Sequence, residues 1–66
     1  MNILIQSTIE TDEETGEPLY WHNEDGWVEI ESANSFSEEE TEWMNLPAGG
    51  RWVEYNDNGE ISAFDL

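Results

Sequence analysis

Carboxylates supply almost all of the potential chemistry in this sequence. Of its 66 residues, 17 are Asp or Glu and one, Arg51, is a strong base, which gives a formal net charge of −16. A small domain needs only about 2–8 net charges for solubility, and self-repulsion beyond that opposes compact folding. We therefore expect the excess to serve recognition of a strongly basic partner. Basic protein surfaces commonly bind nucleic acid, which is itself a dense polyanion.

The spacing of several carboxylates is similar to that of neighbouring phosphates. Side chains at i and i+2 of a strand lie about 6.6–6.8 Å apart, so Glu29 and Glu31 are predicted to form a short anionic row. Glu38 and Glu42 are one helical turn apart, with Cβ atoms about 5–6 Å from each other. The predicted partner-binding residues are acidic apart from one aromatic anchor: Glu24, Asp25, Trp27, Glu29, Glu31, Glu38, Glu39 and Glu42.

Catalytic chemistry has little support in the sequence. His22 is the only histidine and cysteine is absent, so neither a Cys–His pair nor a thiolate metal site can form. The stretch Ala48-Gly49-Gly50 lacks the spacing and the lysine of a phosphate-binding loop. Pairs of carboxylates are abundant, but a glycosidase also needs a substrate cleft that 66 residues are not expected to enclose. We expect a protein that is not an enzyme and has no cofactor.

One segment partly matches a calcium-binding loop. Residues 54–65 have ligand types at loop positions 1, 3 and 5, Gly59 at position 6 and an acid at position 12. Glu54 and Asp65 are poor substitutes at the first and last positions, and the residues before the loop alternate as a strand. The segment is therefore predicted to be a hairpin without a metal, while a cation-binding protein stays open as an alternative.

Hydrophobic periodicity predicts a single α+β domain over residues 1–66. Its small antiparallel sheet consists of an N-terminal strand and two hairpins, with one short helix packed against it. Residues 2–9 are predicted as the strand, with Ile3, Ile5 and Ile9 on one face. Residues 10–17 contain no apolar side chain and are predicted as an acidic loop.

The first predicted hairpin pairs residues 19–23 with residues 27–31 around Asp25-Gly26, a strong two-residue turn signal. One face then carries the apolar residues Leu19, Trp21, Val28 and Ile30. The other face carries Tyr20, His22, Glu24, Trp27, Glu29 and Glu31. Tyr20 and Trp27 are thereby expected among the carboxylates, where aromatic side chains can anchor a partner.

A capping box of Ser37 and Glu40 predicts a helix over residues 38–45, which ends before Pro47. Trp43, helped by Phe36 and Leu46, is expected to anchor this helix. Residues 47–50 are predicted as a turn. The rest of the chain is predicted as a second hairpin with a three-residue loop at 57–59. That register places four residues on one face: Val53, Tyr55, Ile61 and Ala63.

The segment from Tyr20 to Val53 resembles a pattern found in small bacteriophage proteins. Its elements are Trp21, Gly26-Trp27-Val28, Ser32-Ala33, Phe36, the capped acidic helix and the stretch Leu46-Pro47-Ala48-Gly49-Gly50-Arg51-Trp52. In charge and size the chain is similar to the acidic proteins with which phages block host DNA-binding machinery. These are anti-CRISPR proteins, anti-restriction proteins and inhibitors of uracil-DNA glycosylase. The resemblance implies a phage origin and action in the host cytoplasm.

Charge and resemblance together predict a non-enzymatic DNA mimic. It would occupy the basic groove of a host protein, with a CRISPR effector or restriction enzyme expected first and a DNA-repair enzyme next. Direct binding to nucleic acid or to a membrane is not expected, because anionic surfaces repel this chain. An assembly accessory protein that pairs through a Trp-rich face is the alternative from another class. Association into a homodimer is left open.

Overall fold

The computed structural model of the chain describes residues 2–64. Its main element is a five-stranded antiparallel sheet with the strand order β3-β2-β1-β4-β5. The strands are β1 Asn2–Thr11, β2 Pro18–His22, β3 Gly26–Val28, β4 Gly50–Tyr55 and β5 Ile61–Ala63. A 3-10 helix spans Ile30–Ser32, and helix α1 spans Glu38–Trp43. The predicted α+β class, with one small antiparallel sheet and a short helix, is confirmed. Neither helix is long or apolar enough to cross a membrane.

Strand β1 is central because β2 and β4 pair with it on opposite sides. Five consecutive residues from Ile3 to Ser7 are buried, as expected for a strand that is covered on both faces. Since strand side chains alternate, Ile3 and Ile5 lie on one face of the sheet and Leu4 and Gln6 on the other. The sheet therefore has two packed faces.

The end of β1 differs from the prediction. The strand continues to Thr11, but its last pair with β4 joins Ser7 to Gly50. The Ser7 hydroxyl then accepts hydrogen bonds from the backbone N–H groups of Ile9 and Glu10, at 3.0 and 2.7 Å. Ile9 lies in the irregular stretch between the β1–β2 pairs at Gln6 and Thr11, and it is 71% exposed, whereas Ile3 and Ile5 are buried.

Each face of the sheet has its own hydrophobic cluster. The aromatic face, as we name it, contains Ile3, Ile5, Phe36 and Trp52, with Trp21, Trp27, Met44 and Phe64 packed around them. The groove face contains Leu4, Tyr20 and Val53, with Ile30, Ala33, Tyr55 and Ile61 packed around them. Phe36 and Met44, on either side of α1, therefore cover part of the aromatic face, and Ile30 of the 3-10 helix covers part of the groove face.

The first hairpin has a different register from the predicted one. It pairs Trp21 with Trp27 and His22 with Gly26, so the loop between paired residues has three residues, 23–25. An odd shift in register moves side chains to the opposite face of a sheet. Trp27 accordingly lies beside Trp21 on the aromatic face, with ring centroids 5.1 Å apart at 73°. Tyr20, expected as an exposed anchor, is buried on the groove face at 6% exposure.

Local hydrogen bonds stabilise this longer loop. The His22 Nδ1 atom accepts from the backbone N–H groups of Glu24 and Asp25, at 3.2 and 3.1 Å. The Asn34 side-chain oxygen accepts from the N–H of residue 23 at 2.7 Å. Gly26 has φ of 81°, a left-handed conformation that glycine adopts without steric cost. A two-residue turn at 25–26 is therefore wrong, because side chains at positions 22 and 34 stabilise a different turn.

Residues 29–31 do not continue β3, although the sequence predicted that they would. The chain leaves the sheet after Val28, and the Ser32 N–H donates to the Glu29 carbonyl at 2.9 Å. The Ala33 N–H donates to the Ile30 carbonyl at 3.2 Å, which closes the 3-10 helix. The predicted strand row of Glu29 and Glu31 is therefore not formed.

The predicted capping box of α1 is confirmed. The Ser37 hydroxyl accepts from the Glu40 N–H at 3.3 Å, and the Glu40 carboxylate accepts from the Ser37 N–H at 3.0 Å. The helix ends at Trp43, two residues earlier than predicted.

The packing of α1 corrects the predicted anchor. Phe36 is buried as expected, but Trp43 is 69% exposed and Leu46 is 39% exposed. Thr41 is the buried residue of the helix, and side chains two positions apart point to different sides of a helix. Trp43 consequently faces away from the sheet, and Met44 packs on the aromatic face instead.

The turn at residues 47–50 and the second hairpin form as predicted. The Gly50 N–H donates to the Pro47 carbonyl at 2.9 Å. Val53 pairs with Ala63 and Tyr55 pairs with Ile61, which leaves a three-residue loop at 57–59 inside the hydrogen-bonded residues 56 and 60. The expected alternation of apolar and polar side chains along β4 and β5 determines this register.

Candidate functional site

The groove face is only partly covered, and shallow clefts surround Ile30. Three clefts of about 220, 260 and 390 Å³ are all lined in part by this residue. The first and third also share Glu17, Pro18 and Tyr20, so they adjoin each other. We call the first cleft the acidic groove. Its floor includes Tyr20 and Ile30, and its rim carries the carboxylates of Asp12, Glu17, Glu29 and Glu31.

Two separate segments bring these four carboxylates together. Asp12 follows β1 and Glu17 precedes β2, and the Asp12 N–H donates to the Glu17 carbonyl at 2.8 Å. Asp12 Oδ1 also accepts from the N–H groups of residues 14 and 15, at 2.8 and 3.1 Å, which stabilises the turn. Glu29 and Glu31 lie on either side of Ile30, which packs on the groove face. The rim is therefore attached to hydrogen-bonded backbone on both sides.

A row of polar side chains crosses the groove face between β4, β1 and β2. Arg51 Nε and Nη2 both donate to Gln6 Oε1, at 2.9 and 2.6 Å. Gln6 Nε2 in turn donates to the Tyr20 hydroxyl at 2.9 Å, and Gln6 is itself buried. Since Gln6 pairs with both Arg51 and Tyr20 in the sheet, the strand register places the three side chains side by side.

Because Arg51 belongs to this row, its positive charge is not paired with a surface carboxylate. Within residues 2–64, no carboxylate lies within 4.0 Å of the Arg51 guanidinium, which is bound to a neutral amide instead. The one contact within 4.0 Å between a basic and an acidic side chain in that range joins His22 Nδ1 to Asp25 Oδ2 at 3.6 Å, and this nitrogen accepts two backbone N–H bonds. The described carboxylates are consequently available to cations from outside the molecule.

The predicted acidic site residues lie in three places. Glu24 and Asp25 are exposed at the tip of the first hairpin. Glu29 and Glu31 are at the rim of the acidic groove. The exposed helix residues form the third group: Glu38, Glu39 and Glu42. Trp27 is half-buried against Trp21 on the aromatic face, so the structure does not place it among the carboxylates.

The helix and groove carboxylates belong to opposite sides of the sheet. Phe36 and Met44, which flank α1, pack on the aromatic face. Ile30 and Ala33, from the 3-10 segment, pack on the groove face. The anionic surface is therefore divided between two faces.

Sequence reasoning missed two members of the rim, Asp12 and Glu17. Their acidic loop was recognised, and its composition was the only available signal. Their closeness to Glu29 depends on the β1–β2 pairing and on the 3-10 helix, neither of which has a clear local signature. The buried contact between Gln6 and Tyr20 was missed for the same reason.

The described part of the chain provides no metal site. Within residues 2–64, no group of three or more His, Cys, Asp or Glu side chains is placed to hold an ion. The segment that partly matches a calcium loop forms the second hairpin, where Asn56 Oδ1 accepts from the N–H groups of residues 58 and 60, both at 3.0 Å. Asp65, the last candidate ligand, lies outside the described residues.

Comparison of the chain with models of protein families, with curated proteins and with solved structures finds no match. Its function is therefore inferred from its own residues and geometry.

Proposed function

We propose that the protein is a non-enzymatic nucleic-acid mimic, made by a bacteriophage, that acts in the host cytoplasm. It occupies the basic nucleic-acid-binding groove of a host defence or repair protein. A CRISPR effector or restriction enzyme is the first candidate, and a uracil-DNA glycosylase is the next. One observation carries the proposal: a formal charge of −16 is mounted on an ordered sheet whose single arginine is bound to Gln6 rather than to a carboxylate.

Two physical arguments support this function. A strongly negative molecule is attracted to a basic groove over long distances, and such steering raises association rates to about 10⁸–10⁹ M⁻¹s⁻¹ at low salt. An ordered scaffold also loses less conformational entropy on binding than a disordered acidic tail does. The turns and capping box that hold Asp12, Glu31 and Glu38 provide such a scaffold.

Competition with labelled DNA tests the proposal. Purified protein is added to complexes of fluorescent duplex DNA with a CRISPR effector, a restriction enzyme and a uracil-DNA glycosylase. We expect stoichiometric displacement of DNA from at least one of them, with an affinity that falls steeply between about 50 and 200 mM salt. A ternary complex that retains the DNA, or binding that is indifferent to salt, would contradict mimicry.

The exposure of Trp43 favours a second candidate, an assembly accessory protein that pairs through an apolar patch. Trp43 is 69% exposed and Ile9 is 71% exposed, whereas the other described tryptophans are buried or half-buried. In that case Trp43→Ala abolishes partner binding, and neutralising the carboxylates has little effect. Mimicry predicts the reverse ranking.

A further inference from the structure

We propose that His22 is a pH-sensitive switch at the tip of the first hairpin. Its Nδ1 atom accepts hydrogen bonds from the backbone N–H groups of Glu24 and Asp25, at 3.2 and 3.1 Å. One proton bound at Nδ1 releases both N–H groups and transfers the ring to the Asp25 carboxylate. The switch is a property of the chain alone and does not depend on the proposed mimicry.

The chemistry of imidazole makes the two states mutually exclusive. A neutral ring carries a proton on one nitrogen and accepts on the other, so a ring that accepts at Nδ1 is protonated at Nε2. Both loop N–H groups donate to this one nitrogen. A second proton binds there as well, and the imidazolium that results has no acceptor left. Protonation of His22 therefore removes both hydrogen bonds at once.

Asp25 is placed to receive the protonated ring. Its Oδ2 atom lies 3.6 Å from His22 Nδ1, the same nitrogen that accepts from the loop. The Asp25 side chain is 71% exposed and free to rotate toward the ring, and the His22 side chain is itself 25% exposed, so solvent protons reach it. A hydrogen bond from imidazolium to carboxylate is charge-assisted, and such bonds are stronger than those between neutral groups.

Two other turns of the chain show what distinguishes His22. The Ser7 hydroxyl and Asp12 Oδ1 each accept from the backbone N–H groups two and three residues ahead. His22 makes the same pair of contacts with a nitrogen in place of an oxygen. A hydroxyl keeps its charge near neutral pH and a carboxyl titrates near about pH 4, whereas an unperturbed imidazole titrates near about pH 6.5. Of these three turns, the first hairpin is therefore the one that responds to protons near neutral pH.

The surroundings of His22 contain no other side chain of this kind within residues 2–64. The elements that pack most closely on β2 are β1, β3 and the 3-10 helix, and β3 has no titratable side chain. The titratable groups of the other two elements, of β2 and of the loop are carboxyls and one phenol: Glu10, Tyr20, Glu24, Asp25 and Glu31. Carboxyls titrate near about pH 4 and phenols near about pH 10. A transition of the loop between these limits is therefore assigned to His22.

The change is confined to the tip of the hairpin. The strand pairs on either side of the loop are formed by backbone groups. The Asn34 side-chain oxygen separately accepts from the N–H of residue 23 at 2.7 Å. Because neither contact involves the imidazole ring, residues 24 and 25 are released while the rest of the hairpin stays paired.

An NMR titration of the full chain from about pH 8 to about pH 5.5 tests the switch. At the upper limit, the ¹⁵N signals of the His22 ring should show the tautomer protonated at Nε2. We expect the amide proton signals of Glu24 and Asp25 to move upfield with the midpoint of the ring signals, and the Asp25 carboxyl signal to move with them. The amides of residues 14 and 15, which Asp12 holds, are the internal control and should stay in place.

Three outcomes of this titration would overturn the proposal. The first is a neutral ring protonated at Nδ1, which could not accept from the loop. The second is a pair of stationary amides at residues 24 and 25 while the ring titrates. The third is an equal movement of the amides of residues 14 and 15, which would show a general response to pH.

Two substitutions at position 22 provide matched variants. His22→Asn keeps a side-chain acceptor of the kind that forms such turns and removes the titration. Its amides at residues 24 and 25 should match those of the original chain at about pH 8 and stay there down to about pH 5.5. His22→Ala has no acceptor, so its loop amides should resemble the acid form of the original chain at every pH.

A pH response of His22→Asn equal to that of the original chain would place the proton elsewhere and contradict the switch. Circular dichroism verifies that both variants are folded. The tautomer and the titration of the original chain need no substitution, so they decide the question even if a variant unfolds.

Discussion

The two faces of the sheet are covered in different ways. On the aromatic face, Phe36 and Trp52 meet edge to face with centroids 5.5 Å apart, beside the similar pair of Trp21 and Trp27. On the groove face, smaller apolar side chains lie next to the polar row of Arg51, Gln6 and Tyr20, and a short 3-10 helix leaves clefts around it. One face is closed by large rings, whereas the other combines burial with hydrogen bonds and remains concave.

This difference gives the two faces of a very small protein unequal shares of its apolar packing. Burial of an aromatic side chain removes about 150–250 Å² from water, so the aromatic face supplies the largest apolar contribution per residue. The groove face can then keep clefts and carboxylates that add nothing to packing. A chain of 66 residues can bury only a limited share of its surface, so one face of the sheet carries most of the apolar packing.

The largest expected effect is on the aromatic face. Trp52→Ala should reduce the free energy of unfolding by about 3–5 kcal/mol, because it removes a ring that is 7% exposed and packed on Phe36. That loss is comparable with the roughly 3–10 kcal/mol of total stability expected for a domain of this size. Urea denaturation followed by circular dichroism measures it.

Trp43→Ala is the matched control, and it should change the free energy of unfolding by less than about 0.5 kcal/mol. If the two tryptophan substitutions reduced the free energy of unfolding by similar amounts, the contrast between the packed aromatic face and the exposed surface of α1 would be wrong.

A smaller effect is expected from the polar row. Gln6→Leu should reduce the free energy of unfolding by about 1–3 kcal/mol, because the Tyr20 hydroxyl and the Arg51 guanidinium lose their shared partner. The substitution replaces the amide with an apolar side chain of similar size, so the measured loss reports hydrogen bonding rather than packing.

Gln6→Glu sharpens the test of the polar row. Its carboxylate still accepts from Arg51, and the Tyr20 hydroxyl can rotate to donate to it. We expect the free energy of unfolding of Gln6→Glu to be closer to that of the original chain than the value for Gln6→Leu is. A more stable Gln6→Leu protein would show that the row contributes no stability to the groove face.

The smallest expected effect concerns the cover of the aromatic face. Ser37→Ala removes the hydroxyl that accepts from the Glu40 N–H, and it should cost about 1 kcal/mol. Ser35→Ala is the control, because Ser35 is exposed and precedes the helix. Thermal unfolding of both variants measures the difference, and equal melting temperatures would mean that α1 does not stabilise the aromatic face.

Local signals predicted the parts of the molecule that depend on neighbouring residues. The capping box of Ser37 and Glu40, the turn ending at Gly50 and the second hairpin with its 57–59 loop all form as expected. Their patterns are contained within a few residues. The first hairpin was predicted wrongly, because the side chains of His22 and Asn34 select a loop that the Asp25-Gly26 signal does not encode.

The candidate site was predicted only in part. The exposure of Glu38, Glu39 and Glu42 on the helix was expected, and so was the solvent exposure of Glu29 and Glu31. The predicted strand row was wrong, and Asp12 and Glu17 were not included in the site. Since a rim assembled from two segments depends on strand pairing and on the 3-10 helix, its membership is a property of the fold.

The sequence alone determined the net charge of −16, the α+β class and the elements with strong local signals. Tertiary structure decided which face Trp27 joins, which side chain binds Arg51 and which carboxylates surround Ile30. Charge is a sum over residues and needs no coordinates. The face of the sheet on which a side chain lies, and the residues that surround it, depend on the strand register. A shift of three residues in the register of one hairpin changes both.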